Sequence, residues 1–165
     1  MAFFPGRWVG DVLVGTAPFT LTANQGLHYV AGIPTPAASM PTGGTFTYNL
    51  IGATSPTFAN ASAAPGVLNS ASLTGDFTAG TVGVSLSATA GGNTYSGSTS
   101  TSSISGANFS GSGLATGTGS SCFSCTLSVS GFFSGTGATH AGLLYQFTGV
   151  QGGTTTLNGA AAFAR

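Results

Sequence analysis

The sequence predicts an all-β protein: a single antiparallel β-barrel of about eight strands in up-and-down order, with little or no helix. Apolar residues alternate with Ser, Thr and Gly at a period of two, which is the spacing of a strand with one buried face. Glycine-rich turns separate these segments, and no capping signal precedes an amphipathic helical window. About eight to ten strands fit into 165 residues, which is enough to close a small barrel.

The alternation gives each predicted strand one buried side. In residues 81–89, Val82, Val84 and Leu86 lie on one face, and glycine or serine fills the other. The same pattern recurs in residues 45–51, 73–79, 125–133 and 143–148. We therefore expect the apolar faces to fill the barrel interior and the hydroxyl-bearing faces to meet water.

Three stretches are less regular. Residues 34–41 and 55–65 are rich in Pro and Ala and are predicted to be surface loops. Residues 93–121 are rich in Ser, Gly and Thr, as in a flexible linker, but Ile104, Phe109 and Leu114 interrupt them. We therefore favour ordered strands with small side chains over a linker in this region.

Charge is nearly absent: only 2% of residues are charged, namely Arg7, Asp11, Asp76 and Arg165. Two arginines at opposite ends of the chain form no basic face, so nucleic acid is not an expected partner. The apolar runs are too short for a membrane helix, and the first residues lack a signal peptide, which suggests an excised segment or an unusual export route. The length predicts a single domain over residues 1–165.

Cys122 and Cys125 form a CxxC motif. A zinc site needs four ligands, and the remaining candidates, His28 and His140, are far apart in sequence. A redox motif needs a helix start that is not predicted here. A structural disulfide is favoured, with buried reduced thiols and a metal or redox role as the alternatives. No metal or cofactor is expected.

An enzyme is not predicted. No paired Asp or Glu residues are present for glycoside hydrolysis, since the chain has only two acidic residues, and no G-x-S-x-G elbow occurs. A lone histidine in a strand or turn is more often a hydrogen-bonded structural residue than a base or a ligand. We therefore expect structural roles for His28 and His140.

Aromatic residues supply the remaining candidates for binding. Phe3, Phe4 and Trp8 at the N-terminus are a candidate interface, and Phe132 joins them because it points away from the face that Phe133 occupies.

The C-terminal third carries a family resemblance. The segments that carry it are CFSC at 122–125, GFFSG at 131–135 and NGAAAF at 158–163, with LHYVAG at 27–32, MPTGGT at 40–45 and YNLIGAT at 48–54 further upstream. Residues 27–165 resemble the C-terminal module of Gram-negative FecR-domain-containing surface proteins, which is similar to the transferrin-binding protein B β-barrel. Residues 1–26 are then an N-terminal segment with the first strand.

The resemblance implies an exported barrel, extracellular or at the outer-membrane surface of a Gram-negative bacterium, and it carries over no catalytic residue. We expect a non-catalytic structural protein, a self-associating subunit of a surface filament or matrix, because copies with almost no charge do not repel one another. The alternative is a surface binding or adhesion module that holds a protein, glycan or small ligand at its loops. A small transmembrane barrel is a third, less favoured class.

Overall fold

The computed structural model describes residues 4–14, 17–119 and 121–165. Its strands are β1 (Phe4–Trp8), β2 (Gly10–Val14), β3 (Ala17–Leu21), β4 (Leu27–Ala31), β5 (Thr45–Ala53), β6 (Thr57–Phe58), β7 (Val67–Asp76), β8 (Thr81–Ala90), β9 (Asn93–Ser105), β10 (Asn108–Gly117), β11 (Cys122–Ser134), β12 (His140–Gly149) and β13 (Thr155–Ala164). One 3-10 turn, Ala37–Ser39, and one helical turn, Val150–Gly153, accompany them.

Eight strands form a closed antiparallel barrel, which confirms the predicted fold class. From β7 to β13 each strand pairs with the next, and β5 pairs with both β7 and β13 to close the circle. The short β6 pairs with β13 beyond the end of β5. No helix among the residues that the structure describes is long and apolar enough to cross a membrane.

The predicted apolar faces fill the interior of the barrel. Val82, Val84 and Leu86 on β8 are at most 2% exposed, as are Leu127 and Phe133 on β11. Aromatic rings fill two regions of the interior, as expected for a barrel of this size. One cluster contains Phe46, Tyr48, Phe77, Phe109 and Phe133, and the other contains Phe58, Tyr95, Tyr145 and Phe147.

Arg165 covers the first aromatic cluster. Its guanidinium carbon lies 3.6 Å from the centroid of the Phe46 ring, a cation–π contact, and its side chain donates a hydrogen bond to the carbonyl of Gly137. Below it, the Tyr48 hydroxyl donates to the carbonyl oxygen of Ala138 at 2.7 Å. Burial raises the pKa of Tyr48 to about 12, although Arg165 acts in the opposite direction.

The Ser/Gly/Thr-rich region forms long strands, as predicted. β9 and β10 occupy most of residues 93–121, and glycines on β10 point inward where two strands approach closely. The prediction of a surface loop at residues 55–65 is wrong at Thr57 and Phe58, which are 2% and 1% exposed. Phe58 is buried because it packs against Tyr95 at one end of the barrel.

The described residues between 4 and 31 form an arm, hereafter the N-terminal arm, made of two antiparallel strand pairs, each called a hairpin below. β1 pairs with β4, and this hairpin lies against the outer wall of the barrel over β13 and β5. The wall is made of small residues there: Ala160 and Ala162 point outward from β13 yet are at most 1% exposed, and Pro5 lies over Gly52. The second hairpin, β2 with β3, continues from the first.

Candidate binding surface on the N-terminal arm

The arm is held to the barrel by a buried histidine. His28 on β4 places Nδ1 2.8 Å from Thr54 Oγ1 and Nε2 2.9 Å from Thr57 Oγ1. Thr54 Oγ1 also accepts a hydrogen bond from the backbone N–H of Ala160 at 2.9 Å. Thr54 therefore joins β4, the segment that follows β5, and β13. Desolvation and the nearby Arg7 charge lower the pKa of His28 to about 4, which keeps the ring neutral at pH 7. This assigns His28 a structural role.

The turn before β4 adds further contacts. The Gln25 side chain donates to the carbonyl oxygen of Ala59 on the barrel at 2.9 Å. Arg7, opposite His28 in the β1–β4 register, donates to the carbonyls of Ala23 and Gln25 at 3.4 Å each. The inner face of the arm is therefore fixed by hydrogen bonds as well as by packing.

The outer face of the same hairpin is apolar and exposed. Strand alternation turns Phe4, Trp8, Leu27 and Tyr29 outward, and their side chains are 50%, 56%, 54% and 39% exposed. Tyr29 lies across Gly6, its register partner, where a Cβ would come within 2.6 Å of ring atom Cε1. The glycine therefore allows the tyrosine ring to lie flat along the hairpin.

The second hairpin extends this surface. Leu13 on β2 is 74% exposed, whereas Phe19 on β3, which is 53% exposed, pairs with Val12 and points to the opposite face of this hairpin. A cleft of about 400 Å³ lies where the two hairpins meet, and it is lined by Trp8, Asp11, Val12, Leu13, Leu27 and Tyr29. Asp11 is the one charged residue among the described residues that line this cleft. The Asp11 carboxylate accepts a hydrogen bond from the Thr20 hydroxyl at 2.7 Å. We call Phe4, Trp8, Leu13, Leu27 and Tyr29 the outer arm face.

The structure brings some of the sequence-predicted interface residues together. Phe4 and Trp8 share the outer arm face, whereas Phe3 lies outside the described residues. Phe132 is half-buried on the barrel wall and lines a separate pocket with Val30, from the inner side of the arm. Sequence reasoning missed Leu13, Leu27 and Tyr29. The period-two spacing of Leu27 and Tyr29 places both on one face and was the available signal.

The other candidate residues from the sequence, Cys122, Cys125 and His140, make contacts of a structural kind. A disulfide joins Cys122 and Cys125, as predicted, with Cα atoms 5.5 Å apart. His140 is half-buried, and its Nδ1 lies 3.1 Å from Thr139 Oγ1. Among the described residues no group of three metal-ligating side chains comes together.

Comparison with known proteins supports the fold. No protein-family model matches the chain, and no curated protein matches it by sequence. Among solved structures, it is similar to the isotype 1 transferrin binding protein B of serogroup B Neisseria meningitidis, with a TM-score of 0.52, 18% identity and 87% of this chain covered. A double mutant of the transferrin binding protein B of Haemophilus parasuis Hp5, a vaccine antigen, gives a TM-score of 0.50 at 16% identity and 85% coverage.

The chain spans less than a third of these proteins, 30% and 29% of their lengths. At such identities the similarity shows the fold alone, a barrel like one in transferrin binding protein B. The relation to FecR-domain-containing proteins and the division of the chain at residue 27 stay predictions.

Proposed function

We propose that the protein is a non-catalytic module at the surface of a Gram-negative bacterium, and that it binds a protein partner through the outer arm face. The observation that carries this proposal is the concentration of exposed apolar side chains on the arm and the residues after it. Of the twelve large hydrophobic residues described as exposed, eight lie in residues 4–33. A concentrated apolar surface on an otherwise closed fold is typical of an interaction site.

The composition of the outer arm face suits a protein partner. Trp and Tyr carry much of the binding energy in protein interfaces, and Trp8 and Tyr29 lie on the same side of one hairpin. His28 and Gln25 fix the hairpin to the barrel, so little conformational entropy is lost when a partner binds. The structural neighbours are transferrin binding proteins, which supports a binding role over an enzymatic one.

The proposed location rests on two further observations. Disulfides form in oxidising compartments, and Cys122 and Cys125 are joined. The neighbours in fold come from Neisseria meningitidis and Haemophilus parasuis.

The single tryptophan allows a direct test. Protein grown with 5-fluorotryptophan gives one ¹⁹F resonance, from Trp8. Purified transferrin is the first probe, followed by fractionated host serum. We expect a binding component to shift or broaden this resonance, and Leu13→Ser with Tyr29→Ser to abolish the effect. A component that binds with the Trp8 signal unchanged would place the binding surface elsewhere.

Self-association is the second candidate, and the β2–β3 hairpin favours it. A two-stranded ribbon has unpaired edges that another strand can join, and this chain carries few charges to prevent it. A filament or matrix subunit would then use the arm as the joint between copies. The same ¹⁹F resonance would change with protein concentration alone, and negative-stain microscopy would show ordered polymers. A concentration-independent resonance from a monodisperse monomer would exclude this candidate.

A further inference from the structure

A second cleft lies on the other side of Leu27, between the turn that precedes β4 and the outer wall of the barrel. It has a volume of about 440 Å³, within the range of small-molecule sites. Ser128, Gln146 and Asn158 form its floor, and they are register partners across β11, β12 and β13. Their side chains follow one another at the spacing of adjacent strands, about 4.8 Å.

Two carboxamides in this floor orient each other. Gln146 Nε2 donates to Asn158 Oδ1 at 2.8 Å, and Asn158 Nδ2 donates to Thr156 Oγ1 at 3.1 Å. Each amide nitrogen has two hydrogens and each carbonyl oxygen has two lone pairs. Both amides therefore keep donor hydrogens and acceptor lone pairs that these contacts do not use. The Gln146 side chain is exposed, so a ligand can reach it.

Apolar side chains border the same cleft. Leu27 on the arm is 54% exposed and Leu144 on β12 is 41% exposed, and both line the cleft with Gly26. None of the described residues lining it is charged. The cleft thus combines oriented neutral hydrogen-bonding groups with two leucines.

We propose that this cleft binds a neutral oligosaccharide. A sugar ring presents vicinal hydroxyls, which donate to and accept from a carboxamide at the same time, and a C–H face that packs on leucine. A charged ligand would lose hydration with no opposite charge to compensate for it. A purely apolar ligand would cover Gln146 and Asn158 and leave their polar atoms unsatisfied. The site shares Leu27 with the outer arm face, but its hydrogen-bonding residues Gln146 and Asn158 lie on the barrel, so their substitution tests it separately from the proposed protein partner.

Side-chain amide signals provide the test. In a ¹⁵N-labelled sample of the full chain, the NH₂ pairs of Gln146 and Asn158 appear as separate resonances that substitution assigns. The probes are maltotriose, cellotriose and tri-N-acetylchitotriose, with a trigalacturonate as the charged comparison and a Gly-Ser pentapeptide as the peptide comparison. Each is added to about 10 mM, which is ten times a Kd of about 1 mM.

We expect at least one neutral trisaccharide to shift both NH₂ pairs in a saturable way, and Gln146→Ala to weaken its binding about tenfold. Asn69→Ala is the matched control, because Asn69 is also a strand carboxamide with a cross-strand hydrogen bond, to Thr89 Oγ1 at 2.8 Å, but lies on β7 away from the cleft. The control should bind as the parent does, and thermal melting verifies that both variants fold. The proposal is overturned by the absence of a shift with all three neutral sugars, by equal shifts with trigalacturonate, by binding of the pentapeptide alone, or by unchanged affinity in Gln146→Ala.

Discussion

The imidazole of His28 lies between two threonines of the barrel, with Nδ1 2.8 Å from Thr54 Oγ1 and Nε2 2.9 Å from Thr57 Oγ1. A neutral imidazole has one donor and one acceptor nitrogen, and a hydroxyl can complement either. Protonation would add a charge in a buried site that already faces Arg7. The contact that fixes the N-terminal arm therefore depends on the neutral form of His28.

Acidification should weaken the protein through this residue. The pKa of His28 is lowered from 6.5 to about 4 on folding, so the unfolded state binds more protons between these pH values. The contribution of His28 to the free energy of unfolding is therefore fully present above pH 6.5 and is lost as the pH falls toward 4. We expect a loss of about 2 kcal/mol, less than the full shift implies because the ring retains some access to solvent. Thermal melting from pH 7 to pH 4 measures it.

His28→Gln is the control for this pH dependence, because glutamine keeps hydrogen-bonding capacity without titrating. The variant should have a flatter dependence of melting temperature on pH than the parent over this interval. Equal slopes in parent and variant would assign the effect to other groups. A ¹⁹F signal on Trp8 would report in the same experiment whether the arm detaches before the barrel melts.

The barrel could be predicted from the sequence, whereas the place where the N-terminal arm attaches to it could not. The period-two pattern of Val82, Val84 and Leu86 depends on local strand geometry alone, so it can be detected in a single sequence. The His28 contacts join residues 26 and 29 positions apart, and threonine is too abundant here to mark two particular partners. The sequence does carry one signal of the covered wall: residues 160–163 are apolar on both faces, which indicates a strand whose outer side is covered.

Removal of the Tyr48 hydroxyl and removal of the Tyr145 hydroxyl should have different effects on stability. Tyr48 donates to Ala138 O at 2.7 Å, whereas the hydroxyls of Tyr95 and Tyr145 are buried with no hydrogen-bond partner among the described residues. Tyr48→Phe leaves a buried carbonyl unsatisfied and should cost about 1–2 kcal/mol. Tyr145→Phe removes an unpaired polar atom and should be neutral or stabilising by up to about 1 kcal/mol. Denaturant melts of both variants compare them, and equal destabilisation would indicate that Tyr145 has a partner such as a buried water.

Reduction of the Cys122–Cys125 disulfide should have a modest effect. The bond closes a very short loop, so it removes little entropy from the unfolded chain, about 2 kcal/mol at most. For a chain of this size that corresponds to a fall in melting temperature of about 4–8 °C. Scanning calorimetry with and without reductant measures the change, and Cys122→Ser with Cys125→Ser should reproduce it. Unfolding at room temperature on reduction would contradict this estimate.

Two strand glycines should respond to alanine with opposite signs. Gly113 points into the barrel from β10, where a Cβ would overlap the backbone carbonyl of Ser98 and lie 2.9 Å from its carbon. A backbone atom cannot move aside as a flexible side chain does, so Gly113→Ala should separate β9 from β10 locally and cost about 2 kcal/mol or more. Gly83 on β8, which pairs with the other edge of β9, is the matched site, because the nearest neighbour of an added Cβ would be Thr99 O at 3.6 Å, an ordinary contact.

Gly83→Ala should therefore raise stability by about 0.5–1 kcal/mol, since alanine lowers the entropy of the unfolded chain without strain in the folded one. Urea titration of the two variants beside the parent gives both values from the shift in midpoint at constant m. A stable Gly113→Ala variant would show that β9 and β10 can move apart at this point. Hydrogen exchange of the β9 and β10 amides then locates the change, because a local separation exposes these hydrogen bonds while β12 and β13 stay protected.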